Sequence, residues 1–136
     1  MRVALFATCL VDFLRPSVGF AAVQLLEQAG CTVDVPLAQT CCGQPAWNNG
    51  DAENASHLAR QMIDVFGDYD HVVVPSGSCA GMLRHHYPRI LADDPDYRNR
   101  ARELAGRCHE LTGFLVDVLG VTSTGATFNG RLTWHD

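Results

Sequence analysis

The sequence predicts an α/β protein, a three-layer, Rossmann-like parallel sheet with crossover helices. Three observations point to it. Short runs at Val3-Ala4-Leu5-Phe6, Cys31-Thr32-Val33-Asp34-Val35 and His71-Val72-Val73-Val74 alternate with longer stretches of helical periodicity. The first and third runs are almost continuously apolar, as strands covered on both faces must be. Each run is followed, at what would be its carboxyl end, by cysteine: Cys9, then Cys41 and Cys42, then Cys79. In open parallel sheets that rim is where ligands bind.

Val3 to Phe6 is the first expected strand. Pro16-Ser17 then opens a helix in which Val18, Ala21, Ala22, Leu25, Leu26 and Ala29 recur at helical spacing, with Gly30 placed to stop it. Cys31 to Val35 is a second strand, β-branched and alternating, closed by Pro36. From Gln39 to Gly50 runs a loop built on Cys41-Cys42-Gly43-Gln44-Pro45, which brings two thiols to one point. An amphipathic helix over Asp51 to Phe66 carries Ala55, Leu58, Ala59, Met62 and Phe66, with Asp51 or Asn49 as cap and Gly67 as stop.

His71 to Val74 is the third strand, closed by Pro75. The turn Ser76-Gly77-Ser78-Cys79 leads into a third helix, with Ser78 as its expected cap. Cys79 then stands in the first turn, where free amides and the helix dipole favour a thiolate. Tyr87-Pro88 is expected to interrupt that helix, and Pro95 to begin another that runs to Arg107. Leu111, Phe114, Leu115, Val118 and Leu119 mark a last helix ended by Gly120. Arg131 to Asp136 reads as one more strand, the start of a new unit.

With 136 residues the chain amounts to about one domain, and 47% hydrophobic against 18% charged residues describes a soluble globular composition. The formal charge is -5, and all ten basic residues are arginine. A scattered acidic excess without a basic run gives no footprint for nucleic acid or an anionic membrane. The apolar start Val3-Ala4-Leu5-Phe6-Ala7 is interrupted by Asp12 and reads as folded protein, not an export signal. No segment approaches the roughly 18 apolar residues of a membrane span. The expected compartment is cytoplasmic, where six cysteines act as ligands, nucleophiles or core residues in preference to a disulfide framework.

Adjacent cysteines pair poorly with each other. Their Cα atoms are about 3.8 Å apart across a trans peptide, below the usual disulfide span of about 4.4 to 6.8 Å. Cys41 and Cys42 therefore look to a metal, a cluster or more distant thiols, and Cys9 and Cys79 complete a candidate set. Four thiolates at one end of adjacent strands suit an iron-sulfur cluster or zinc. Thiol-disulfide exchange among them stays open, as does the bland reading in which they are small buried hydrophobes. Cys31, at a strand start, and Cys108, near a helix end, read as core filler. His57, His71 and His109 lie in polar contexts expected to be solvated. His85 and His86 follow a helix that has left the turn, and His135 stands beside the end of the chain. Cys9 and Arg15 also reproduce the Cys-x5-Arg spacing of small tyrosine phosphatases. The bulky residues between them, with the carboxylate of Asp12, make a poor phosphate cradle.

The segments Ala7-Thr8-Cys9-Leu10-Val11-Asp12, Cys41-Cys42-Gly43-Gln44-Pro45-Ala46 and Pro75-Ser76-Gly77-Ser78-Cys79 resemble the cysteine-rich CCG domain proteins. Within them the chain resembles in particular the lactate utilization protein A group of iron-sulfur oxidoreductases. That group is related to the iron-sulfur subunit of glycolate oxidase and to the corresponding cysteine-rich component of heterodisulfide reductase. The likeness extends over the whole chain, including Glu110-Leu111-Thr112-Gly113-Phe114 and Val118-Leu119-Gly120-Val121.

The resemblance implies one half of a two-repeat protein: residues 1–130 as the N-terminal repeat and 131–136 as the truncated start of the second. The family motif is a cysteine, a paired cysteine and a terminal Cys-x-x-Cys. Cys9, Cys41, Cys42 and Cys79 match four of its positions, and Ser76 stands where another cysteine would be. The implied cofactor is a 4Fe-4S or noncubane iron-sulfur cluster on those four residues, with zinc as alternative occupant. Gly43, Ser76, Gly77 and Ser78 would surround the sulfurs. The implied role is an electron-transfer subunit of a complex oxidising lactate or another 2-hydroxy acid, inactive as this half alone. Its partners would be the second repeat and other iron-sulfur subunits of the lactate utilization complex.

Overall fold

Side chains alternate across the strands, and here both alternating sets are apolar, so the sheet needs cover on each face. The computed structural model describes residues 1–133. Strands β1 (Arg2–Leu5), β2 (Thr32–Asp34), β3 (His71–Val74) and β4 (Cys108–Glu110) form one sheet in the order β2-β1-β3-β4. All pairings are parallel, with Val3 opposite Val33, Ala4 opposite Val72 and Val73 opposite His109.

One face packs Val3, Leu5 and Val73 against Ala22, Leu26, Phe114 and Leu115. The other packs Ala4, Phe6, Val72 and Val74 against Met62, Ile63, Phe66, Leu83, Tyr87 and Leu104. Phe6 and Phe66 meet edge to face at 5.6 Å, a favoured aromatic arrangement. The expected three-layer α/β architecture is therefore the observed one.

The helices are α1 (Cys9–Leu14), α2 (Pro16–Gln28), α3 (Gln44–Asn48), α4 (Ala52–Phe66), α5 (Gly77–Gly81), α6 (Tyr87–Ile90), α7 (Arg98–Arg107) and α8 (Leu111–Gly113). Asp51 caps α4 by accepting the Asn54 amide at 3.1 Å. Among the described residues, no helix is long and apolar enough to cross a membrane.

Several expectations are corrected. Residues from Cys9 to Leu14 form a helix ahead of the one expected at Pro16, because buried Thr8 caps them by accepting the Val11 amide at 3.4 Å. Within the Gln39–Gly50 loop, Pro45 sits in the first turn of α3. Tyr87-Pro88 does not interrupt the helix that begins at α5. A π turn over Met82–His86 joins α5 to α6, with the Tyr87 amide donating to the Met82 carbonyl. That wider turn makes room for a proline ring that would strike the carbonyl four residues back in a regular helix. The next helix starts at Arg98, after Asp94 has accepted the amides of Asp96 and Tyr97.

Strand β4 had no clear signal, since three residues of mixed polarity lie directly between two helices. A second π turn, Phe114–Val118, extends α8 to the expected end at Gly120, whose φ is +69°. Arg131, Leu132 and Thr133 are exposed and carry no strand. The rest of the strand expected over 131–136, with His135, lies outside the described residues.

Candidate metal centre

From β1 the chain crosses to β2 on one side, and the later crossover places β3 on the other. The order thus reverses between β1 and β3, and a crevice opens beyond their carboxyl ends. Cys9 follows β1 and Cys79 follows β3, so they flank this crevice. The loop after β2 returns to it with Cys41 and Cys42. All four cysteines line one cavity of about 400 Å³, together with Thr8, Pro45, Ser76 and Ser78.

Each thiol is held differently. Cys9 begins α1 and is exposed, Cys41 is half-buried, and Cys42 and Cys79 are buried. Gly43 has φ +85°, which a side chain would strain, and its amide points back to the Cys41 sulfur at 3.5 Å. The buried phenol of Tyr87 donates to the Cys42 carbonyl at 2.9 Å, tying the loop to α6 across the core.

Ser76, not Ser78, caps α5. Ser76 is extended at φ -164°, which aims its oxygen at the Cys79 amide 3.5 Å away. Ser78 lies inside the first turn, its hydroxyl 3.2 Å from that of Ser76. Gly77 is exposed and leaves open space beside the turn.

The Cys42 and Cys79 sulfurs are 3.5 Å apart. The Cys42 thiol donates to Cys79, and with help from Ser76 and Ser78 this lowers the Cys79 pKa to about 6, against the opposing effect of burial. The same bond, followed by burial, raises that of Cys42. Burial first, then the neighbouring Cys41 and Cys79, raises that of Cys9. The cavity therefore gathers thiols that resist joint ionisation unless a cation compensates them. Among the described residues, no three His, Cys, Asp or Glu side chains converge closely enough to hold one metal ion. A donor set of four cysteines lining one cavity suits a sulfur-ligated metal or iron-sulfur group.

Cys31 packs among the apolar side chains on the opposite face of the sheet. Cys108 shares the core of Cys42 and Cys79 but does not line the cavity, and burial pushes its thiol up to about 12. Both behave as the filler expected of them. His71 and His109 are not simply solvated: their Nδ1 and Nε2 atoms are 3.1 Å apart, and both rings rest on Phe114. His86 lies against Trp47, 5.8 Å between ring centres. The phosphatase spacing has no cradle, because the Asp12 and Arg15 amides are spent on the Thr8 and Val11 carbonyls within α1. Sequence reasoning missed Tyr87, whose link to Cys42 joins positions with no common local pattern.

Comparison with known proteins identifies the family. Residues 3–84 match the CCG family model, described as a cysteine-rich domain. Lactate utilization protein A of Geobacillus kaustophilus (strain HTA426) is 53% identical over 135 residues, covering 99% of this chain and 56% of the relative. The protein of that name from Oceanobacillus iheyensis is 52% identical, covering 99% and 55%. That from Bacillus subtilis (strain 168) is 49% identical, covering 99% and 56%. The chain thus spans about half the length of the curated relatives it matches. No solved structure matches it. The matched segment starts in β1 and ends beyond Cys79, enclosing all four cavity cysteines, and on that ground the chain belongs to the CCG cysteine-rich domain family.

Proposed function

We propose that Cys9, Cys41, Cys42 and Cys79 hold an iron-sulfur cluster, and that the whole protein passes electrons in the oxidation of lactate or a related 2-hydroxy acid. The observation that carries this reading is the convergence of cysteines from three strand ends on one cavity at the sheet's switch point. The relatives are named for lactate utilization, which supplies the substrate class. When bound, such a cluster takes up and releases single electrons.

The chain's own residues set the conditions. Cys79, already favoured as a thiolate at the start of α5, would be held as an anionic ligand, and Cys42 would have to release the proton it now shares with Cys79 to serve as another. Ser76 and Ser78 stand beside Cys79 and favour its thiolate, and the Gly43 amide donates toward Cys41. Such contacts to sulfur tune a cluster's potential. Cys9 lies on the open side, where an electron partner would approach.

In this reading residues 1–130 are one CCG repeat, and residues 131–136 begin a second repeat. The whole protein works in the cytoplasm with other iron-sulfur subunits of a lactate utilization complex. Cluster type, 4Fe-4S or noncubane, follows from ligand number. Anaerobic reconstitution tests the reading, with iron and acid-labile sulfide counted per chain and electron paramagnetic resonance recorded after reduction. Iron and sulfide that bind together and are lost in Cys42→Ser support it. Stoichiometric zinc without sulfide overturns it in favour of a structural metal site.

The 3.5 Å approach of Cys42 and Cys79 favours one second reading, a thiol-disulfide redox pair. Its mark is redox turnover that persists after iron is removed.

A further inference from the structure

Cys79 and Tyr87 lie on one unbroken helical path, since α5 runs through the π turn over Met82–His86 into α6. Both reach Cys42: the Cys79 sulfur is 3.5 Å from the Cys42 sulfur, and the Tyr87 phenol donates to the Cys42 carbonyl. Tyr87 is eight residues after Cys79. In a regular helix, at about 100° per residue, that spacing would carry it about 80° past Cys79 around the axis, and His86 would take the place on Cys79's side. A π turn takes up one extra residue, so Tyr87 comes round to within about 20° of Cys79. Helical side chains also lean toward the start of their helix, which returns the phenol toward the cysteines.

The same extra residue turns His86 aside. Its ring meets the indole of Trp47 with 5.8 Å between centres and 49° between planes. Trp47 belongs to α3, which begins directly after Cys41-Cys42-Gly43, and it packs against the core that contains Cys42, Cys79 and Tyr87. The His86 Nδ1 is buried and has no hydrogen-bond partner among the described residues, so packing and not a bond through that atom holds the ring. The paired-cysteine loop is therefore fastened twice to the path that starts with Cys79, by Tyr87 at the Cys42 backbone and by His86 at Trp47. Neither Trp47 nor His86 lines the cysteine cavity.

We propose that Trp47 and His86 are positioning residues for the thiols: they clamp the paired-cysteine loop onto the helical path that carries Cys79, so that this path, through its π turn, fixes the Cys42 sulfur beside that of Cys79. A clamp of this kind would present two sulfurs to a cluster already in place. The claim concerns thiol placement in the metal-free chain and is tested without a cluster. Its failure would leave the cluster reading standing, and zinc in the site would leave the clamp standing.

Exchange with glutathione measures the placement. Oxidised glutathione accepts the electron pair as the Cys42 and Cys79 thiols become one disulfide and two glutathione thiols are released, and the equilibrium constant rises with the effective concentration of one sulfur at the other. The constant is read by mass spectrometry on metal-free chain, kept anaerobic, in which Cys9→Ser and Cys41→Ser leave one thiol pair in the cavity. His86→Ala and Trp47→Leu should each lower it by about two- to tenfold, the range of a lost aromatic contact. Combined, they should lower it no further than the larger single effect. His86→Phe, which keeps a ring against Trp47 and removes the unpaired nitrogen, should hold the parent value. Phe114→Leu, in the core on the opposite face of the sheet, should lower the urea midpoint and leave the constant unchanged. Circular dichroism checks each fold, and the variants of half-buried His86 decide the matter should Trp47→Leu not fold. A constant indifferent to His86→Ala overturns the proposal, as do fully additive effects, a His86→Phe variant as weak as His86→Ala, or an equal shift in Phe114→Leu.

Discussion

The phenol of Tyr87 and the backbone carbonyl of Cys42 are joined by a 2.9 Å hydrogen bond buried between α6 and the paired cysteines. It links the cavity floor to a helix that carries no ligand. Tyr87→Phe keeps the ring's packing and leaves the carbonyl without a donor, at a cost of about 1 to 3 kcal/mol. Urea unfolding with an unchanged slope should report that loss, together with faster cysteine alkylation in the metal-free protein.

Gly43 and Gly50 separate backbone strain from site geometry. Both have positive φ, +85° and +77°, so either change to alanine should cost about 1 to 2 kcal/mol. Only Gly43 carries the amide aimed at Cys41, and a side chain there would touch Leu58. Gly43→Ala should lower iron uptake in reconstitution, while Gly50→Ala should unfold earlier in urea yet load normally.

Ser76 caps α5 and helps hold the Cys79 pKa down. Ser76→Ala should destabilise by about 0.5 to 2 kcal/mol, and in metal-free protein should move the pH of half-maximal Cys79 alkylation upward from about 6. Ser78→Ala, which leaves the cap in place, should show the smaller stability change.

His109 is titrated against its surroundings. Burial, then His71 and Arg84, lower its pKa below the ordinary 6.5, with Asp117 opposing. The unfolded chain therefore binds the proton more readily, and stability rises with pH across this window. As pH falls through 6.5 toward the folded-state value, the urea midpoint should drop. His109→Gln should flatten that dependence, and a profile unchanged by the substitution would show that His109 does not cause it.

Much of the fold could be read from the chain. Val3 to Phe6 and His71 to Val74 have the unbroken apolar character that two-sided burial demands, and Asp51 and Gly67 bracket α4 as their chemistry suggests. The meeting of Cys9, Cys41, Cys42 and Cys79 followed from one rule, that loops at the carboxyl ends of parallel strands face a common crevice. Other features had no local sign. Strand β4 takes its identity from pairing with β3, since Cys108-His109-Glu110 has neither length nor alternation. Ser76 and Ser78 were equally good caps by type, and only the extended backbone at Ser76 decides between them. Pro88 signals a break by its chemistry, but a π turn absorbs it.

Only one pair among the four cavity cysteines is contiguous in sequence; the others come from separate strand-to-helix units that touch because β1 lies between β2 and β3. A ribosome that has released the paired cysteines but not His71 to Val74 holds no complete donor set. Under the proposed reading, a cluster would find its full set of ligands only once the sheet has been assembled, and a chain with β3 out of register would lack Cys79 at the cavity.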